Sequence, residues 1–228
     1  MSRTKERIEA KNWAPMAGAA LLLVLSSGVA QSKGLKGRVV AADGEGAPAV
    51  VFVQGAPEGA VPQQDAVITH LAGGRFTPAL SIGFVGNDFL FRNEDDTLHT
   101  THLYLQLAYQ KEISGRPLVN GATVYNIALP RQGMEVRRPI RPYHGYRDDT
   151  GYIAVKCNPH PNEQAAVLVF DHPFAAVTGE DGEFWIPDLP AGLHEVWVWQ
   201  DGHADKWQSV DIQDGTPTEV VIELESGP

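Results

Sequence analysis

The 228-residue chain contains a single cysteine. A histidine stands three positions after it, in Cys157-Asn158-Pro159-His160. A thiolate and an imidazole at this spacing, on a proline-stiffened loop at the end of a strand, can reach one metal ion from the same side. With a second imidazole from elsewhere in the fold and a weak axial group they form the trigonal set of a type 1 copper centre. A buried, inert cysteine beside a surface histidine is the other reading of the same four residues. The lone cysteine bears on that choice. An exported chain with one cysteine has no internal disulfide, and a free thiol in an oxidising compartment is a liability unless something occupies its sulfur.

Export is what the N-terminus predicts. Arg3, Lys5, Arg7 and Lys11 precede an apolar run from Ala14 to Leu25, and Ser26-Ser27-Gly28-Val29-Ala30 supplies small residues where a signal peptidase reads. Residues 1–30 are therefore expected to be a secretory signal cut before Gln31, with an uncleaved N-terminal anchor as the alternative. No later apolar stretch reaches membrane-spanning length, so the mature chain is expected in the periplasm or secreted, not spanning a membrane. The first thirty residues hold four basic and two acidic side chains, so the remainder carries a net charge of −12, against −10 for the whole chain. So acidic a protein is not expected to bind nucleic acid through its phosphates. It would steer toward cationic partners, less so as salt rises.

The elements that must position Cys157 and His160 read as strands. The 23 glycines and 16 prolines punctuate the chain at short intervals, and no window carries a long 3.6-residue apolar repeat. Gly37–Ala41 and Ala49–Val53 flank the turn residues Asp43-Gly44-Glu45-Gly46 and predict a hairpin. Phe84–Asn93 predicts a strand with a turn at Gly86-Asn87-Asp88. Further strands are expected at Ala122–Leu129, Glu135–Ile140, Tyr152–Cys157, Ala165–Phe170, Phe184–Ile186, Glu195–Trp199 and Val220–Leu224. The class is an all-β sandwich.

Over residues 65–172 the sequence resembles the cupredoxin family in its small, plastocyanin-like form. Phe91-Arg92-Asn93-Glu94-Asp95-Asp96-Thr97-Leu98-His99 matches a strand and Asn-x-Asp turn ahead of the first copper histidine. Gly74-Arg75-Phe76-Thr77-Pro78 is similar to the Phe-x-Pro lead-in. Gly151-Tyr152 through Cys157-Asn158-Pro159-His160-Pro161 is similar to the final strand and ligand loop. The resemblance implies a Greek-key sandwich with His99, Cys157 and His160 around a mononuclear copper ion. It departs at the axial position, where relatives usually carry methionine shortly after the loop histidine. Here the stretch is Asn162-Glu163-Gln164 and no methionine follows Cys157. Glu163, whose hard anionic oxygen would favour Cu(II), and Gln164, a neutral oxygen donor, are the candidates, with neither as the third alternative. His102 could face the same site or simply be exposed. His70, His144, His172, His194 and His203 are expected in surface or turn roles, and Asp95 and Asp96 to hold the His99 loop by Asx-type hydrogen bonds.

Residues 174–228 resemble part of a carboxypeptidase regulatory-like, prealbumin-like β-sandwich. Gly179-Glu180-Asp181-Gly182-Glu183-Phe184, Leu189-Pro190-Ala191-Gly192 and the strand after them carry that resemblance. Its missing first strands are expected within residues 31–60, which would make residues 61–173 a copper domain inserted into a split sandwich. The function implied is one-electron transfer with a cationic redox partner. A non-redox module that sequesters copper or binds protein or carbohydrate is the alternative, and a mononuclear copper oxidoreductase lacks a supporting base or nucleophile.

Overall fold

The computed structural model describes residues 33–106, 112–113, 116–117, 121–142, 151–200 and 203–224. The expected signal at residues 1–30 and His144 lie outside them. The described residues form strands and no helix, so no helix there is long and apolar enough to cross a membrane. In chain order the strands are β1 (Gly34–Val40), β2 (Val50–Gln54), β3 (Ala66–Leu71), β4 (Arg75–Thr77), β5 (Leu80–Phe84) and β6 (Asp88–Asn93). β7 (His99–Gln106), β8 (Glu112–Ile113), β9 (Arg116–Pro117), β10 (Thr123–Leu129), β11 (Met134–Pro139) and β12 (Tyr152–Lys156) follow. β13 (Gln164–Phe170), β14 (Ala175–Val177), β15 (Glu183–Pro187), β16 (Gly192–Gln200), β17 (His203–Ile212) and β18 (Thr218–Glu223) complete the set.

The middle of the chain builds a cupredoxin-like Greek-key sandwich. One sheet runs β10-β7-β12-β13-β5 and the facing sheet runs β11-β6-β3-β4. Phe89, Phe91, Leu103, Leu129, Ile153, Val155 and Val167 fill the space between them, and Cys157 belongs to this core. Each of these side chains points inward because strand residues alternate between faces.

Residues on either side of that sandwich pair with each other. β1 lies between β15 and β18, and β2 between β14 and β16. Leu35, Val39, Val51, Val53, Ile186, Val196, Val198, Ile212 and Ile222 form their common core. This second, prealbumin-like sandwich therefore takes its strands from both ends of the described chain. A third apolar cluster, with Phe52, Phe84, Phe170 and Trp199, joins the two sandwiches.

The expected β1–β2 hairpin does not form. The turn after β1 closes only a single bridge, Val40 to Gly46, and Pro48, which has no N–H to donate, precedes β2. β2 is buried along most of its length and crosses into the other sheet, where it is a central strand. Phe84–Asn93 likewise divides into β5 and β6, which belong to opposite sheets of the first sandwich.

Candidate metal centre

Two loops and one strand turn meet at an end of the first sandwich. The loop from β6 to β7 is shaped by Asn93, which is fully buried. Its amide donates to the carbonyls of Thr97 (2.8 Å) and Leu129 (2.9 Å), and its Oδ1 accepts the Asp95 N–H (2.9 Å). This Asx-type closure delivers His99 to the first position of β7, with its side chain fully buried. Asp95 Oδ2 accepts from His99 Nε2 at 3.0 Å and from the Thr97 hydroxyl at 3.2 Å. Because a carboxylate only accepts, His99 carries its proton on Nε2 and presents the Nδ1 lone pair inward. The His99 donor, supported by Asp96 and Thr97, holds the Asp95 carboxyl down at about 2.

β12 and β13 are antiparallel, with Lys156 opposite Gln164. Alternation along β12 sends Lys156 outward and Cys157 inward, where the thiol is 1% exposed. Asn158 N–H donates to Thr100 Oγ1 (2.8 Å), and Thr100 N–H reaches the sulfur at 3.5 Å. Pro159 and Pro161 flank His160, and a turn closed by Glu163 N–H to the His160 carbonyl (2.9 Å) stacks the two side chains. His160 is 39% exposed, whereas Glu163 is 1% exposed. Glycine at 74, with φ of 74°, passes over this carboxylate, and a Cβ there would stand 3.5 Å from Glu163 Oε1.

Four potential ligand atoms converge. His99 Nδ1 and His160 Nδ1 are 3.2 Å apart, and Cys157 Sγ is 3.6 and 3.5 Å from them. Glu163 Oε1 is 3.3 Å from His99 Nδ1 and 3.2 Å from His160 Nδ1, and a carboxylate oxygen of Glu163 lies within 4.8 Å of the sulfur. In a tetrahedron with edges of about 3.4 Å the centre is about 2.1 Å from each corner, the bond length that nitrogen and oxygen ligands make to first-row metals. Despite its two close nitrogens, Oε1 is buried without a hydrogen bond. Oε1 faces the Nδ1 lone pair of His99, and a cation at the centre would satisfy both. The set of two imidazoles, a thiol and a carboxylate thus fits a metal ion. Burial pushes the Cys157 thiol above its ordinary value and the charge of Glu163 adds to this, against the Thr100 and His160 N–H groups. A cation at the centre would favour the thiolate.

The structure brings His99, Cys157, His160 and Glu163 together and leaves Gln164 out. Gln164 is exposed at the start of β13, turned away from Glu163 by strand alternation. His102 is excluded for the same reason. It lies on the opposite face of β7 from His99, where it stacks on Tyr104 and bonds Asn158 Oδ1 (3.1 Å) and Thr123 Oγ1 (2.9 Å).

His70, expected on the surface or in a turn, is instead fully buried on β3. Its Nδ1 bonds Glu163 Oε2 at 3.0 Å, its Nε2 bonds Thr101 Oγ1 at 2.9 Å, and its ring packs on Phe76 and His99. Burial pushes it below its ordinary value, opposed by the Glu163 hydrogen bond and reinforced by His99 and His160. His172 does serve a turn, its Nδ1 accepting the Phe174 N–H (3.1 Å), but it too is buried. His194 is partly exposed and donates to the Pro190 carbonyl; the side chain of His203 lies outside those described.

The described residues thus form an all-β chain that joins a sandwich holding a candidate His/Cys/Glu metal site to a second sandwich. Residues 150–225 match the family model of the carboxypeptidase regulatory-like domain. That match begins on β12 and β13, which pair within the cupredoxin-like sheet. No curated protein matches the chain. Among solved structures it is similar to a point variant of amicyanin in the reduced Cu(I) form at pH 4, with 16% identity, covering 51% of this chain and 87% of that one at a TM-score of 0.29. It is also similar to a purple cupredoxin from Nitrosopumilus maritimus, with 15% identity, covering 46% and 99% at a TM-score of 0.28.

Proposed function

We propose that this chain is an exported, mononuclear copper protein that transfers single electrons, with His99, Cys157, His160 and Glu163 as its ligands. The observation that carries the proposal is the convergence of Nδ1, Nδ1, Sγ and Oε1, five of whose pairs are 3.2–3.6 Å apart, with Oε1 buried and without a hydrogen bond. Copper bound there would supply a one-electron couple between Cu(I) and Cu(II). The protein's part is to hold the donors still. Asp95 fixes the His99 ring, Thr100 fixes the sulfur, and Pro159 and Pro161 stiffen the His160 loop, so both oxidation states meet one ligand geometry. Thiolate and carboxylate together bring two negative charges, and the hard oxygen favours Cu(II), which sets a low reduction potential and weakens the blue thiolate absorption. His160 is the one ligand with substantial exposure, so its ring edge is the route by which electrons enter and leave. The acidic surface selects a cationic partner, in a complex that weakens as salt rises.

The test is to add Cu(II) to the purified mature chain and record the visible spectrum, the EPR signal and the reduction potential. Thiolate-to-copper absorption with reversible one-electron cycling, lost in Cys157→Ala, is the expected result. Copper binding without cycling would assign the chain to copper sequestration, and a wild-type spectrum equal to that of Cys157→Ala would refute the site.

A further inference from the structure

Glu163 has two oxygens in two different environments, and a residue outside the ligand set makes them different. Oε2 accepts from His70 Nδ1 at 3.0 Å, while Oε1 faces His99, His160 and Cys157 with no hydrogen bond. His70 is fully buried, on a strand of the opposite sheet from Cys157 and His99. Its ligand-type nitrogens are both committed. A carboxylate cannot donate, so Nδ1 carries the ring proton. In the neutral ring Nε2 is then an acceptor, and the Thr101 hydroxyl 2.9 Å away is its donor. Thr101 is fully buried and points inward from β7, two residues after His99.

We infer that His70 is the positioning residue that makes Glu163 a one-oxygen ligand, through a chain running from Thr101 to His70 to Glu163. The inference rests on the copper reading above. By taking Oε2, His70 fixes the carboxylate and aims Oε1 at the two imidazoles and the sulfur. Thr101 sets the tautomer, so the proton sits on the nitrogen that meets the carboxylate and not on the one that faces β7. Outer hydrogen bonds of this kind orient ligands and tune the ion they hold. His70 lies close enough to the cluster for its ligand atom to fall within 4.8 Å of those of His99, Cys157 and Glu163, but with both nitrogens hydrogen-bonded it acts through Glu163.

Three full-length variants test this. His70→Phe removes the donor and keeps a ring, His70→Asn offers an amide N–H near the position of Nδ1, and Glu163→Gln is the reference for loss of the anionic oxygen. In the metal-free chain, proton NMR should show a slowly exchanging downfield ring N–H that disappears in His70→Phe and moves upfield in Glu163→Gln, where a neutral amide oxygen replaces the carboxylate. Cu(II) and Co(II) are then bound in competition with a chelator. His70→Phe should bind about 10- to 100-fold more weakly, with its Cu(II) spectrum moved toward stronger thiolate absorption, as in Glu163→Gln. His70→Asn should recover most of both. Wild-type affinity and spectrum in His70→Phe would overturn the inference. So would loss of one imidazole nitrogen from the pulsed EPR of His70→Asn, which would make His70 a ligand. A wild-type chain that takes up neither metal would instead refute the copper reading, and with it this role.

Discussion

Glu163→Gln should stabilise the metal-free chain while it weakens the metal site. Glu163 is 1% exposed, and its Oε1 lies 3.3 and 3.2 Å from two imidazole nitrogens without a hydrogen bond. A buried acceptor left unsatisfied costs ~1–3 kcal/mol, and more if it is charged. In the glutamine variant the amide oxygen can keep the His70 Nδ1–H while the amide nitrogen takes the place of Oε1. It then donates to the Nδ1 lone pair of His99, whose own proton is fixed on Nε2 by Asp95. Each such bond contributes ~0.5–1.5 kcal/mol net. Relief of the orphan and the new bond overlap, so a gain of ~1–3 kcal/mol is expected. At roughly 2–4 °C per kcal/mol for a protein of this size, the melting midpoint rises by about 2–12 °C. Calorimetry on both proteins under chelator measures it. Affinity for Cu(II) should fall more than about tenfold, so the two readouts move in opposite directions. A metal-free variant that melts at or below wild type would refute the claim that Oε1 is held ready for a cation.

Three further outcomes follow from the same geometry. Asp95→Asn leaves an acceptor near His99 Nε2 but removes its charge; it should weaken copper binding about 10- to 100-fold in chelator competition without loss of fold. The metal-free chain should lose stability as pH falls below about 6.5, because burial lowers His172 and His70 from that value and the unfolded chain then binds protons the folded one does not. In His172→Asn, whose side-chain oxygen can still accept the Phe174 N–H, a urea titration between pH 7.5 and 5 should show a shallower slope; an unchanged slope would contradict it. Asp95, depressed to about 2, contributes stability present above its ordinary 3.8 and lost only as pH falls through about 2, a separate window. Finally, a Cβ at Gly37 would overlap the Val220 carbonyl oxygen and stand 2.8 Å from Val220 Cγ2 and 3.0 Å from Phe184 Cε1. Gly37→Val should therefore cost ~1–3 kcal/mol through overpacking between β15, β1 and β18, while the copper spectrum stays that of wild type.

What was legible in the sequence depended on residue type. Cys157 and His160 share a short loop, and the Asn93-to-Asp95 turn announces itself ahead of His99, so local spacing exposes three of the four converging side chains. Glu163 was readable as one of two neighbours; only the register of β13, with Gln164 opposite Lys156, decides between them. His70 was not readable. It is 87 residues from Cys157 in the chain, and the segment Ala66-Val67-Ile68-Thr69-His70-Leu71 shows nothing that marks a histidine for burial. Its role arises from the parallel β3–β6 pairing, which sets His70 beside Asn93, a non-local contact without a short motif. The path of β2 was not readable, because the apolar run Val50–Val53 gives no alternation to say which sheet receives it.

β7 explains why so many groups of different chemistry reach one point. Its inward residues begin with His99, Thr101 and Leu103, which supply in turn a candidate ligand, the donor to His70, and the core beneath them. Between them, Thr100 donates its N–H to the Cys157 sulfur and its hydroxyl oxygen accepts the Asn158 N–H, locking the end of β12 against the same strand. A slip of one residue would turn His99 and Thr101 outward and bring Thr100 and His102 in, exchanging a ligand and its supports for groups placed to do neither. The neighbours prevent it. Leu129 of β10 pairs with His99, and Val155 of β12 pairs with Leu103, so the apolar core fixes the register. The site is thus positioned by hydrophobic packing in the sheet and not by the ligands' attraction for an ion. A chain with Cys157, His99 and His160 all replaced by alanine should keep the β7 register, seen as unchanged backbone amide protection in hydrogen exchange. Loss of protection along β7 in that variant would show that the metal-site residues, and not the core, hold the strand in place.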